Sequence, residues 1–348
     1  TKRQKYMNCK VEKSKIKGKI NCPSNKSYTH RGIFLASLAG NNSKVENVLL
    51  SADTKATIEA CKKFGAVIEV NDSDIIVKKS IKIGINVPEI NTENSGTTIR
   101  IAIGIASLFS EEIILTGDTS LQKRPMQPLL DALSSIGAKC SSTNGNPPIK
   151  IKGSIIGGDI RIPGNLSSQF ISSLLISAPL TKNGINLTIE GDLVSKPYLD
   201  ATIATMRKFG VSVKTLIPYK KYNITPQIYK NTTFSVPIDF SSLALLLSCT
   251  VLNGEDVVIK GSMGNLPQGD EAFIDFLEQL GVSVTINDNE IKIKSPEKLK
   301  GGKFDLRNSP DLLPPLAILS LISSKPIEIA NVKHARLKET DRIAILAR

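Results

Sequence analysis

The sequence predicts an α/β fold built from repeated units of about 70 residues, each a buried helix, a strand, an exposed helix and then strands. Three observations predict it. Gly65, Gly137, Gly210 and Gly281 recur at steps of 72, 73 and 71 residues, each directly after an amphipathic stretch. Ser27, Ser95, Ser168, Ser242 and Asp311 recur at steps of 68, 73, 74 and 69 residues, each opening a run that is apolar nearly all round. Each apolar run is followed by a short β-rich segment, such as Glu112-Ile113-Ile114-Leu115 or Asp256-Val257-Val258-Ile259.

The exposed helices are predicted over 52–63, 126–135, 199–208 and 271–279, where apolar residues keep helical spacing, as in Leu129, Leu130, Leu133 and Ile136. A glycine just past such a helix takes the left-handed conformation that stops it, and the alternating residues beyond begin a strand. The buried helices are predicted over 99–108, 170–178, 243–251 and 312–322, because a helix apolar on every face has no side left for water. The fifth unit reaches Arg348 inside the helix that follows Asp341, before its expected glycine and strands. The period therefore predicts a natural gene continuing for about 70 to 80 residues, without which the second domain lacks a unit and the N-terminal strand lacks partners. A chain stopped at Arg348 is expected to be inactive and poorly stable.

With 348 residues and 41% hydrophobic content the chain is long enough for two packed domains. No apolar run approaches a membrane span, and the basic stretch 1–10 lacks an apolar signal-peptide core, so a soluble, cytoplasmic protein is expected. Five scattered cysteines (Cys9, Cys22, Cys61, Cys140 and Cys249) show no CxxC or Cys/His pattern, which supports neither a disulfide framework nor a metal site. The net charge of +13 reads mainly as a lysine-rich surface. Aromatics are only 5%, with no nucleic-acid-binding module, so no nucleic-acid partner is expected.

Chemistry concentrates in four polar segments, each placed where a helix should begin or close to one. Arg336-Leu337-Lys338-Glu339-Thr340-Asp341-Arg342 packs three cations and two carboxylates into seven residues. Asn25-Lys26-Ser27-Tyr28-Thr29-His30-Arg31, Asn94-Ser95-Gly96-Thr97-Thr98-Ile99-Arg100 and Lys123-Arg124-Pro125-Met126 have the same character. Cations and backbone N–H groups at helix starts suit anions, so a small phosphorylated substrate is expected.

These segments, with Ser167-Ser168-Gln169, Ser195-Lys196-Pro197-Tyr198, Gln268-Gly269-Asp270 and Pro310-Asp311, resemble in order the motifs of the EPSP synthase family of enolpyruvyl transferases. The resemblance covers the whole chain. It implies a two-domain inside-out α/β barrel of six βαβαββ units, three per domain. The first strand would join the C-terminal domain, giving domains of 20–236 and of 1–19 with 237–348, and crossovers near 18–20 and 236–239. It also implies transfer of the enolpyruvyl group of phosphoenolpyruvate to the 5-hydroxyl of shikimate 3-phosphate, by a monomer with no cofactor and no metal.

Carried over residue by residue, Lys26, Gly96, Arg124, Gln169 and Arg342 match positions that bind phosphoenolpyruvate. Lys26, Ser27, Arg31, Ser167, Ser168, Gln169, Ser195, Asp311 and Lys338 match positions that hold shikimate 3-phosphate, with Tyr198 beside them. Asp311, Glu339 and Lys26 are the expected catalytic groups, Asp311 accepting the 5-hydroxyl proton. The serines also read as ordinary helix caps, Asp311 as an N-cap and Glu339 as an ion-pair partner. Asn94 is secondary; Arg100 either contacts ligand or ties two helices together, and His334 either replaces a substrate-binding Asn of other members or is a surface histidine. The family's later His-Arg pair and terminal lysine have no counterpart before Arg348. Two alternatives stand beside this reading. A UDP-N-acetylglucosamine enolpyruvyl transferase would carry a reactive cysteine near a Pro-Cys-Xaa-Arg element, which is absent here. A non-catalytic repeat protein binding phosphorylated ligands would need neither Asp311 nor Glu339.

Overall fold

The structure, a computed structural model, describes residues 10, 12, 14–87, 89–287, 289–338 and 340–348. The predicted unit repeats along it. The first comprises β1 (Ile16–Asn21), α1 (Lys26–Leu38), β2 (Ser43–Glu46), α2 (Ala52–Lys63) and the hairpin β3 (Val67–Asn71) and β4 (Asp74–Lys79). The second is β5 (Glu89–Asn91), α3 (Gly96–Ala106), β6 (Ile113–Thr116), α4 (Gln127–Ser134), β7 (Lys139–Thr143) and β8 (Asn146–Lys152). The third is β9 (Gly158–Pro163), α5 (Ser168–Ser177), β10 (Ile185–Glu190), α6 (Lys196–Lys208), β11 (Lys214–Ile217) and β12 (Lys221–Ile224). The fourth is β13 (Thr233–Ser235), α7 (Phe240–Asn253), β14 (Gly254–Lys260), α8 (Ala272–Gln279), β15 (Ser283–Asn287) and β16 (Glu290–Lys294). Then come β17 (Gly302–Asp305), α9 (Leu313–Leu319), β18 (Ile327–Ala330) and α10 (Arg342–Leu346).

Each complete sheet is four strands wide, with one parallel pair of strands beside an antiparallel hairpin, as in β5-β6-β8-β7. The four helix-ending glycines take φ of +97° (Gly65), +112° (Gly137), +79° (Gly210) and +92° (Gly281), the left-handed region the pattern required. Of the apolar helices, α3 and α5 pack on each other inside the sheets. Gly104 permits that approach, since a Cβ there would lie 2.5 Å from Ser173 Oγ.

Two sheets exchange their first strands. β1 pairs in parallel with β14, Gly18 opposite Val257 and Asn21 opposite Lys260, while β13 pairs with β2, Thr233 opposite Lys44. The N-terminal strand therefore has its partner, contrary to the expectation that it would be left short. The first crossing comes at 22–25, later than the expected 18–20, because β1 keeps its pairing through Asn21. There the two passing segments bond to each other: Asn25 N–H donates to the Pro237 carbonyl at 2.8 Å, and Asp239 N–H to the Pro23 carbonyl at 2.8 Å. Buried apolar residues fall into two clusters that change over at the same two places, one from Tyr28 to Val236 and one holding Cys22 with Ile238 to Ala335. Among the described residues no helix is long and apolar enough to cross a membrane.

Candidate active site

The starts of α1, α3, α5, α6 and α7 line one cleft of about 640 Å³, closed on its other side by the turns at Gly269–Glu271, Pro310–Leu312 and Lys333–Leu337. Each helix start is built by local sequence. Asn25 caps α1 by accepting from Tyr28 N–H, Ser95 caps α3 from Thr98 N–H, Ser167 caps α5 from Gln169 N–H and Asp239 caps α7 from Ser242 N–H. Ser195, ahead of α6, is held at φ +55°, a strained setting for a side-chain-bearing residue. Five helix starts facing one space concentrate unsatisfied N–H groups and positive dipole ends there.

Most of the predicted residues meet in this cleft. Lys26, Ser27, Gly96, Arg124, Gln169 and Arg342 line it, as do Ser167, Ser168, Ser195, Asp311 and Lys338. So do Asn94, Arg100, Tyr198 and His334. Lys26 Nζ lies 3.0 Å from Asp53, and Arg124 donates to Asn94 Oδ1 at 2.7 Å. Arg100 lines the cleft and ties α3 to α5 by donating to Gln169 Oε1 at 2.5 Å while lying 5.3 Å over the Phe170 ring, the second of the two readings the sequence offered.

Asp311 is the best-connected carboxylate. It accepts from Tyr198 Oη at 2.9 Å and from Arg342, with Lys338 Nζ at 3.8 Å. Burial pushes its pKa up, but the Lys338 and Arg342 charges and the bonds from Arg342 and Tyr198 outweigh that and hold it at about 2. The capping alternative does not hold, because the carboxylate is bonded to Tyr198 and Arg342 and paired with Lys338, and no capping bond is formed at this turn. His334 lines the cleft half-buried, its basicity lowered by burial and by Lys338, so it is not a surface histidine.

Arg31 is placed differently from expectation. It is only 1% exposed and does not line the cleft; its guanidinium donates to Thr202 Oγ1 at 2.8 Å and to the carbonyls of Ser27 and Tyr198 at 3.0 Å. The reason is packing: Arg31 lies one turn into α1, on the face against α6, where it ties two cleft-lining helix starts together. Burial lowers its pKa to about 10, which leaves it charged. Glu339 lies outside the described residues.

Sequence reasoning missed two further carboxylates in the wall. Asp239 caps α7 and accepts from Asn25 Nδ2 at 2.8 Å. Asp270 is 5% exposed, accepts from Ser241 through one oxygen and leaves Oδ1 without a partner among the described residues. Burial first, then the charge of Asp311, raises it to about 7. An aspartate directly after Gln268-Gly269 at a helix start was the available signal. None of the four described cysteines lines the cleft, and burial pushes the Cys22 and Cys61 thiols up to about 12.

The chain is similar to known proteins over nearly all its length. The family model described as EPSP synthase (3-phosphoshikimate 1-carboxyvinyltransferase) matches residues 11–348. The 3-phosphoshikimate 1-carboxyvinyltransferase of Nitrosopumilus maritimus (strain SCM1) is 79% identical over 98% of this chain and 81% of its own length. That of Methanosphaera stadtmanae is 40% identical over 97% of this chain and 82% of its own. Among solved structures, an EPSP synthase from Acinetobacter baumannii superposes with a TM-score of 0.79 at 25% identity, covering 96% of this chain and 77% of that one. The enolpyruvyl transferase NikO from Streptomyces tendae shares the fold at a TM-score of 0.66 and 16% identity, over 90% of this chain and 75% of its own. A family match from residue 11 to residue 348 and a relative at this identity leave one conclusion: the chain belongs to the EPSP synthase family.

Proposed function

We propose that this cleft transfers the enolpyruvyl group of phosphoenolpyruvate to the 5-hydroxyl of shikimate 3-phosphate, releasing phosphate, with the residues acting as follows. The observation that carries the assignment is the meeting, in one cleft, of five helix starts and the cations Lys26, Arg124, Lys338 and Arg342 around an ionised Asp311. Two substrates that each carry a phosphate and a carboxylate need such a surface, and the guanidinium forks of Arg124 and Arg342 match planar carboxylate and phosphate geometry. Gly96 brings the α3 backbone close to phosphoenolpyruvate, and Lys26 reaches between the two ligands. Ser27, Ser167, Ser168, Ser195 and Gln169 hold shikimate 3-phosphate, with Lys338 and Tyr198 on its far side.

In the reaction the 5-oxygen attacks C2 of phosphoenolpyruvate as Asp311 takes its proton, while an acid of the site delivers a proton to C3. Glu339 is the residue assigned to that second transfer. The tetrahedral adduct then loses phosphate as a C3 proton returns to the acid that supplied it, which restores the double bond, and the proton taken by Asp311 leaves with the departing phosphate, which balances the protons. Asp311 can act as acceptor because it is ionised throughout the working pH range; displacement of Arg342 by substrate raises its basicity. The protein proposed here is a cytoplasmic monomer acting on small molecules without nucleic acid; the low aromatic content and the lack of a nucleic-acid-binding module in the sequence support the last of these. Phosphate release by the full-length protein tests the assignment: it is expected only when both substrates are present, and release from phosphoenolpyruvate alone, or none at all, counts against it.

A further inference from the structure

Four buried polar side chains form a continuous chain behind the cleft wall. His30 Nδ1 on α1 is 2.7 Å from Thr57 Oγ1 on α2, Thr57 Oγ1 is 2.6 Å from Thr98 Oγ1 on α3, and Thr98 Oγ1 is 2.6 Å from Ser95 Oγ, the cap of α3. All four are at most 1% exposed, and none lines the cleft. The imidazole is neutral: burial, then the charges of Lys26 and Arg31, pushes it down to about 3. With Ser95 donating to Thr98, Thr98 to Thr57 and Thr57 to His30, each hydroxyl proton is used once. The four groups thus form one connected network rather than separate contacts, which leaves the protonated His30 Nε2 buried and without a partner among the described residues.

What the chain connects gives it a purpose beyond packing. At one end Ser95 precedes Gly96, where a Cβ would lie 2.8 Å from Arg124 Nη1 and 3.0 Å from Arg100 Nη1, so the space is already tight. In the middle, Thr57 sits one turn along α2 from Asp53, the carboxylate paired with Lys26. Thr98 Oγ1 also lies 3.4 Å from the Asp53 carbonyl. Apolar residues of the same size would hold three helices together without fixing their axial register. Directional bonds fix both register and rotation.

We propose that His30, Thr57, Thr98 and Ser95 are positioning residues for the phosphoenolpyruvate end of the cleft, locking the first turn of α3 and its Gly96 amide against the Lys26–Asp53 pair. The inference rests on the assignment of phosphoenolpyruvate to Gly96 and Lys26 above. A misplacement well under 1 Å at a ligand-binding turn is enough to change binding, whereas shikimate 3-phosphate is held mainly by α5 and α6, which the network does not touch.

The test uses Thr98→Val, which replaces the hydroxyl by a methyl group of the same shape, beside Thr98→Ser, which keeps it. Rates of the full-length protein are measured with each substrate varied in turn, together with thermal midpoints. Thr98→Val should raise KM for phosphoenolpyruvate about fivefold, the size of one buried hydrogen bond, with kcat and KM for shikimate 3-phosphate within about twofold. Thr98→Ser should stay near the parent. Thr57→Val, which cuts the chain from α2, should reproduce the split and serves where Thr98→Val fails to fold. Equal movement of both KM values, a fall in melting temperature with unchanged kinetics, or Thr98→Ser behaving like Thr98→Val each overturns the inference alone. A parent protein that turns over neither substrate overturns the functional assignment and the inference with it.

Discussion

Asp311 and Asp270 face the same cleft from neighbouring turns, and their environments push them apart. Asp311, beside Lys338 and Arg342, carries the charge; Asp270, buried with one unpaired oxygen and the Asp311 carboxylate nearby, holds a proton. Asp311→Asn is therefore expected to lower turnover by about two orders of magnitude or more, while each substrate binds within a few fold. Steady-state rates and ligand titrations check it, and near-parental turnover would leave Asp311 only a tether for Arg342 and Tyr198. Asp270 is best tested through stability. Its folded pKa of about 7 exceeds the unfolded value near 3.8, so the fold binds the extra proton between those limits. Stability is then lost as pH rises from about 4 to 7 and stays at the lower level above it. Asp270→Asn, which keeps the shape and cannot ionise, should raise the melting temperature by about 3 °C at pH 8 and change little at pH 4. Asp311 has the opposite sign: its contribution is present above the unfolded value and is lost only as pH falls towards 2. These residue environments were only partly legible beforehand. A motif places Asp270 at a helix start, but burial and the neighbour across the cleft come from packing between segments 40 residues apart in sequence, such as the Ser309 hydroxyl on the Gly269 carbonyl. The burial of Arg31 was invisible for the same reason, since its partners Tyr198 and Thr202 lie on α6.

At the scale of elements the repeat was readable because its signals are local. A glycine at each exposed-helix end has a conformational reason to be there, and helices apolar on all faces must be buried. The helix cap at Ser167 was readable for the same reason. The start of α3 shows how an element carries function: Gly96 is its first residue, and Arg100 and Arg124 crowd the space where a side chain would go. Gly96→Ala must displace the Arg124 guanidinium by a few tenths of an ångström and fill room beside the ligand. A phosphonate mimic of phosphoenolpyruvate longer than the substrate, such as glyphosate, should lose at least about tenfold in affinity, more than the accompanying rise in KM for phosphoenolpyruvate. Parallel inhibition and substrate titrations decide it. A proportional shift in both constants would place the inhibitor away from Gly96.

At the scale of the whole molecule, two sheets are completed by strands from elsewhere in the chain. The partner of β1 begins more than 230 residues later, a pairing that no local pattern can encode; only the family resemblance anticipated it. The exchange makes the paired crossings at 22–25 and 236–239 the seam of the structure, and Gln268 closes it. Its Oε1 accepts from Asn25 Nδ2 at 2.6 Å and from Phe240 N–H at 3.2 Å, while its Nε2 donates to the Ile238 carbonyl at 2.8 Å. The Tyr28 hydroxyl reaches over the same seam to the Pro267 carbonyl at 2.6 Å. One side chain thus fastens the start of α1 to the start of α7, and both starts line the cleft. Gln268→Ala would strand the Phe240 N–H and the Ile238 carbonyl in a half-buried seam, at a cost of about 2 kcal/mol, where an ordinary surface glutamine costs almost nothing. Denaturant titration should show that loss as a lower midpoint with an unchanged slope. The Michaelis constants of both substrates should rise together, because the seam sets the relation of the two cleft walls and not the fit of either ligand. A loss of stability without any kinetic change would mean that the walls are held in place by the direct bond between Tyr198 and Asp311 instead.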